Sequence, residues 1–186
     1  MGSPLFIGTG ISYDSRVNIH EIDQRVESAL LGFWAQDSML LEYGVHEQTI
    51  AGSLMCHLRY GFPEFHVDVE YNRRSNQNRP SSDPKRVDSA NLGGPRPSGL
   101  IKPDIIVHRR GSNWENIAAF EIKSLSGRSL WRAANVVPAP QDPQKWVNDR
   151  MKLSELKRVF SYQRTYFLVF PTGPDFARNL LKMEPL

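Results

Sequence analysis

Asp104, Glu121 and Lys123 are the residues of this chain whose types and setting most directly suggest chemistry. They interrupt its two most apolar β-like runs, LIKPDIIVHRR (100–110) and IAAFEIKSL (117–125), which the polar segment GSNWEN separates as the turn of an antiparallel hairpin. With the turn centred between Asn113 and Trp114, Asp104 is expected opposite Lys123, and Glu121 shares their face because strand side chains alternate with a period of two. Burying such charges is costly unless they pair or bind an ion. Mg2+ or Mn2+ held by Asp104 and Glu121 would offset that cost, since these hard cations take carboxylate oxygens and accept phosphate oxygens as further ligands. Ordinary cross-strand salt bridges are the alternative reading of the same three residues.

The elements that must position the trio are legible in the periodicity. From about Ile19, apolar residues at Ile22, Val26, Leu30, Phe33 and Leu40 or Leu41 predict a helix that Gly44 ends. HEQTIAGSLMCHLRYGF predicts a second helix, with Ile50, Ala51, Leu54 and Leu58 on its apolar side and Glu47 one turn earlier on that side. Cys56, the single cysteine, is expected as a small core residue of this helix. EFHVDVEYN alternates as a half-buried strand. Residues 73–99 break all periodicity and read as a long basic loop. Beyond the hairpin, Asp142-Pro143 begins a helix through Leu153, Leu156 and Phe160, RTYFLVF is a buried strand stopped by Pro171 and Pro174, and DFARNLLKM reads as a last short helix. Gln163 is expected to cap the helix before it, and Trp114, Trp131 and Trp146 to pack in the core or at its rim. The order predicts an α/β or α+β sandwich with a mixed sheet.

In these residues the sequence resembles the PD-(D/E)XK nuclease superfamily. Pro103-Asp104 matches the PD and Glu121-Ile122-Lys123 the E-x-K, and the wider text, EYN before a loop, PDIIVHRR, FEIK and a helix bearing Asp149 and Lys152, is similar to small stand-alone bacterial proteins of that superfamily over residues 45–170. The resemblance implies a restriction-endonuclease-like α/β core, a mixed central sheet flanked by helices, and divalent-metal-dependent hydrolysis of phosphodiester bonds. It implies a metal site of Asp104, Glu121 and the main-chain carbonyl of Ile122, with Glu47 as the acidic residue such proteins draw from a helix before the sheet. The competing reading of Glu47 is a carboxylate favoured by its helix N-terminus. The superfamily holds restriction, repair and defence enzymes, so biological role does not follow from the fold.

Charge is unevenly spread. Residues 1–72 carry 3 basic and 10 acidic side chains, residues 73–110 carry 9 and 3, and residues 111–186 carry 11 and 7. Such asymmetry suits a polyanion, or equally a solvated loop; with the nuclease resemblance DNA is the expected partner and Arg73, Arg74, Arg109 and Arg110 are candidate contacts. A homodimer or larger assembly is left open. The five histidines show no zinc-ligand spacing, and there is neither a phosphate-binding glycine loop nor a nucleophile elbow. No apolar run is long enough to cross a bilayer and no secretory signal pattern opens the chain, so a cytoplasmic protein is expected: a flexible segment over residues 1–18, then one domain over 19–186. The rival to an enzyme is a catalytically inactive module of the same fold that binds nucleic acid or a partner protein.

Overall fold

The computed structural model describes residues 17–71, 73–76, 79–86, 101–111, 115–126, 143–173 and 182–185. The flexible segment expected at residues 1–18 lies outside these but for Val17 and Asn18, as do Trp114 and Trp131.

Helix α1 (Ile19–Asp37) opens at Asn18, whose side chain accepts from the His20 N–H at 3.0 Å, and buries the predicted Ile22, Val26, Leu30 and Phe33 together with Ala29. A four-residue turn of helix, α2 (Met39–Glu42), follows and stops at Gly44, whose φ of 60° is left-handed. Helix α3 (Glu47–Gly61) packs on α1 through Ile50, Ala51, Leu54 and Leu58. Asp37 ties the two together, accepting from Ser53 Oγ at 2.6 Å and lying 2.8 Å from His57 Nε2. Cys56 departs from its expected core position: it points away from the stripe of residues 50, 54 and 58 and is exposed.

The strands are β1 (His66–Val69), β2 (Arg73–Asn76), β3 (Arg79–Pro84), β4 (Ile105–His108), β5 (Asn116–Ser126), β6 (Arg164–Thr172) and β7 (Lys182–Pro185). Five form a mixed sheet in the order β1-β4-β5-β6-β7, in which only β5 and β6 run parallel. Helix α4 (Pro143–Phe160), with proline at its first position as predicted, makes the β5-to-β6 crossover that a parallel pair requires. Ile105, Val107, Phe120, Ile122, Tyr166, Leu168 and Phe170 pack with α1 and α3 on one face. Ile106, Ala119 and Phe167 pack with Leu153, Leu156 and Phe160 of α4 on the other. The chain is therefore a mixed α/β protein whose sheet is flanked by helices.

Four expectations are corrected. The stretch from residue 73 is not wholly a loop: β2 and β3 pair as a small antiparallel sheet of their own, which a register shift and the prolines at 80 and 84 hide from any period-of-two pattern. Of the last helix expected over residues 175–183, residues 175–181 lie outside those described, and Lys182 and Met183 belong to β7, which pairs with Tyr166 to Val169 and covers the otherwise open edge of β6. Pro171 does not stop β6, which stays paired with β5 through Thr172, beyond the point where its pairing with β7 ends at Val169. The carbonyl of Phe160 at the end of α4 is met by the Asn116 side chain at 2.6 Å, while Gln163 donates its main-chain N–H to Asn116 O. Asn116 thus does the work expected of Gln163. Trp146 packs as expected, edge-on to Phe167 at 5.6 Å.

Leu54 is wholly buried between α1 and the sheet, whereas Leu31 is 65% exposed. Leu54→Ala is expected to cost about 2–5 kcal/mol in urea unfolding, and Leu31→Ala no more than about 0.5 kcal/mol. Equal costs would contradict this packing.

Candidate metal centre

The hairpin register differs by two residues from the predicted one. Ile105 pairs with Phe120 and Ile106 with Ala119, and a bulge follows Val107. One further step brings Asp104 beside Glu121 rather than Lys123. A shift of two leaves strand parity intact, so all three still lie on one face, the face covered by α4.

β5 runs on beyond its last pairing with β4 at Phe120, which leaves the N–H groups of Ile122 and Ser124 on an open edge. Two carboxylates fill it. Asp104 Oδ2 accepts from Ile122 N at 2.6 Å, and Glu47 Oε1, reaching over from the first turn of α3, accepts from Ser124 N at 2.9 Å. The Ile122 carbonyl points to the same side as its N–H, because both groups of one strand residue share an edge. Glu47 and Ile122 therefore lie with Asp104 and Glu121 at one end of the sheet. This is the carboxyl end of the parallel pair, where open α/β sheets usually take their ligands.

Helix α4 adds two residues to which the sequence reading assigned no role. Asp149 and Lys152 fall on the same stripe as Leu153, Leu156 and Phe160, so they point at the sheet. Lys123 Nζ lies 3.0 Å from Asp149 Oδ2 and 3.9 Å from Glu121 Oε2, and Lys152 Nζ lies 2.5 Å from Glu121 Oε1 and 3.3 Å from Asp149 Oδ1. Glu121, Lys123, Asp149 and Lys152 are each under 10% exposed. Glu121 Oε1 and Asp149 Oδ2 are buried, and beyond their ion pairs with Lys152 and Lys123 neither has a hydrogen-bonding partner. The signal for these residues was in the sequence, as a charged i, i+3 pair at core-stripe positions.

The electrostatics follow from burial. Desolvation pushes the Glu121 carboxyl up to about 8, and Asp104 and Asp149 push the same way while Lys152 opposes. Burial also raises Asp104, against the Ile122 N–H, Lys123 and Lys152. Burial would lower Lys123, but Asp149, Glu121 and Glu47 outweigh it and hold the ammonium form. Asp149 is depressed because its two lysines overcome its desolvation.

The oxygen donors of Asp104, Glu121, Glu47 and the Ile122 carbonyl suit a hard divalent cation. Among the described residues no three His, Cys, Asp or Glu side chains are gathered closely enough to hold a metal ion between them. Asp104 and Glu121, with one main-chain carbonyl, match instead the few protein ligands Mg2+ takes while keeping its waters.

The other candidates lie apart. Arg109 and Arg110 follow β4 at its far end. Arg109 is paired with Glu115 at 2.8 Å, and Arg110 Nε with Asp68 Oδ2 at 2.9 Å. His108 is 2.8 Å from the same Asp68, whose carboxyl these partners hold far below the usual range although burial alone would raise it. His108 is structural. Arg73 and Arg74 fall on β2, and the contacts expected of their side chains lie outside what is described.

Comparison with protein-family models, with curated proteins and with solved structures finds no match.

The Glu121 carboxyl binds its proton more tightly in the folded chain (about 8) than at its ordinary value of 4.5. Its contribution to stability is thus fully present below the ordinary value and lost as pH rises through the folded one. Without divalent ions, the melting temperature of the wild type should fall relative to Glu121→Gln between about pH 5 and pH 9. Mg2+ should restore it at the alkaline end, where the ligand is already deprotonated. A difference that stays flat with pH would contradict the assignment.

Proposed function

We propose that this chain is a divalent-metal-dependent nuclease with a restriction-endonuclease-like core, hydrolysing phosphodiester bonds in DNA. One observation carries the reading. Four carboxylates, Asp104, Glu121, Glu47 and Asp149, meet two ammonium groups, Lys123 and Lys152, at the carboxyl end of β5. With every group ionised, two negative charges are left over, the complement of one Mg2+ or Mn2+ ion.

In this reading Asp104 and Glu121 hold the ion, with the Ile122 carbonyl, and Glu47 completes the set directly or through water. A bound ion supplies Lewis-acid polarisation of the scissile phosphate and a more acidic attacking water. Asp104 is pinned for this by the Ile122 N–H, and Glu47 by the Ser124 N–H, so neither carboxylate need reorganise when substrate arrives. Lys123 is kept protonated by its neighbours, which suits it to donate to a phosphate oxygen as charge develops there, or to orient water, and not to act as the base. The excess of basic residues over 73–110 supports a polyanionic substrate. Arg109 and Arg110 would have to give up their carboxylates to serve it. No helix among the described residues is long and apolar enough to cross a membrane.

A second reading is favoured by Lys152. Its contact with Glu121 lets the cluster neutralise itself in part without an ion, as a binding module of the same fold would.

Incubation with plasmid, linear and single-stranded DNA and with RNA, in Mg2+, Mn2+ or EDTA, separates the two. The expected result is DNA cleavage abolished by EDTA and lowered roughly 100-fold or more in Asp104→Asn and Lys123→Ala. Cleavage that survives EDTA or both substitutions would overturn the site, and binding of DNA without cleavage in either metal would favour the module.

A further inference from the structure

We propose that Lys152 is a tethered counter-ion that occupies the metal position of Glu121 in the ion-free protein and yields it to an entering divalent cation. The inference rests on the metal site proposed above and names a residue of α4 that controls how readily it fills.

The geometry is specific. Lys152 Nζ stands 2.5 Å from Glu121 Oε1, a buried oxygen with no other hydrogen-bonding partner. The contact is an ion pair to a single carboxylate oxygen, a place that another cation can take. Lys123 touches the same carboxylate only at 3.9 Å, through the other oxygen, and is held instead by Asp149 at 3.0 Å. Of the two lysines, Lys152 therefore blocks the ligand.

It also has somewhere to go. Asp149 Oδ1, one turn back on the same helix, is 3.3 Å from Lys152 Nζ, so rotation of the lysine stem can carry the ammonium off Glu121 while keeping it paired. Asp149 then holds both lysines, and neither charge is left buried and alone. The arrangement makes sense of an i, i+3 Asp and Lys on the buried stripe of α4. In the absence of an ion, Lys152 relieves the repulsion among Glu121, Asp104 and Asp149. In its presence, the same ammonium remains at the site's wall, facing where phosphate oxygens would approach.

The sign of one measurement decides the matter. Mg2+ affinity is determined by calorimetry for the wild type, Lys152→Met and Lys152→Arg, with folding checked by circular dichroism. Lys152→Met is expected to bind Mg2+ roughly tenfold more tightly, the effect of removing one ammonium from contact with a ligating carboxylate. Lys152→Arg, which keeps the charge, should bind no better than wild type. Should methionine fail to fold beside two carboxylates, Lys152→Gln can still hydrogen-bond both and should show the same gain. Unchanged or weaker Mg2+ binding in the folded neutral variants would overturn the proposal, because it would make Lys152 a supporter of the site and not a competitor. Absence of Mg2+ binding in every variant would overturn both this and the metal reading. A protein that binds Mg2+ with the predicted gain yet cuts no nucleic acid would sink the nuclease function and leave Lys152 in this role.

Discussion

The cost of holding ionised carboxylates away from water, at the point where β5 outruns β4, governs the rest of the structure. Asp104 and Glu121 lie there because the hairpin parity places them on the face that α4 covers. Carboxylates so placed must be satisfied by N–H groups, by ammonium groups or by a metal ion, and the fold uses the first two visibly. The open strand edge supplies the N–H groups of Ile122 and Ser124, and α4 supplies Lys152 and, through Asp149, the anchor for Lys123. What remains is an excess of negative charge and two buried oxygens, of Glu121 and Asp149, whose sole partners are lysine ammonium groups. A stable protein that needed only packing here would be served as well by apolar residues, which often replace buried ion pairs without loss. Retention of so many charges is the physical basis for reading the cluster as a site.

The topology serves that end of the molecule. The parallel pairing of β5 and β6 requires a crossover, the crossover is α4, and α4 can present Asp149 and Lys152 only because it lies across the face that carries Glu121 and Lys123. On the opposite face, α1 and α3 bury an almost wholly apolar cluster around Phe33, Phe120 and Phe170. That packing fixes the start of α3, and with it the reach of Glu47 to Ser124. The sheet thus separates an apolar layer that holds the fold from a mixed layer that holds the charges.

The stripes of α1 and α3 were legible from spacing, the strand character of β4, β5 and β6 from their apolar, β-rich runs, and the shared face of Asp104, Glu121 and Lys123 survived an error of two in register because parity did. Glu47 was visible as a carboxylate on the apolar side of its helix. Asp149 and Lys152 passed without a role because a charged pair on a helix reads by default as solvent-facing, although both fall on the predicted stripe of Leu153, Leu156 and Phe160. β2, β3 and β7 were missed for a related reason: short strands set among prolines and charges owe their existence to pairing partners distant in sequence, not to their own pattern. Cys56 was misplaced because an apolar neighbourhood in sequence is not an apolar side of a helix.

The most direct test of the central claim is anomalous diffraction from crystals equilibrated with Mn2+. The account predicts a single strong anomalous peak within coordination distance of Asp104 and Glu121, with the Lys152 ammonium moved off Glu121 towards Asp149. Saturating Mn2+ with no peak at that position, and Lys152 still in contact with Glu121, would mean that the cluster is a self-contained set of salt bridges and would contradict the account.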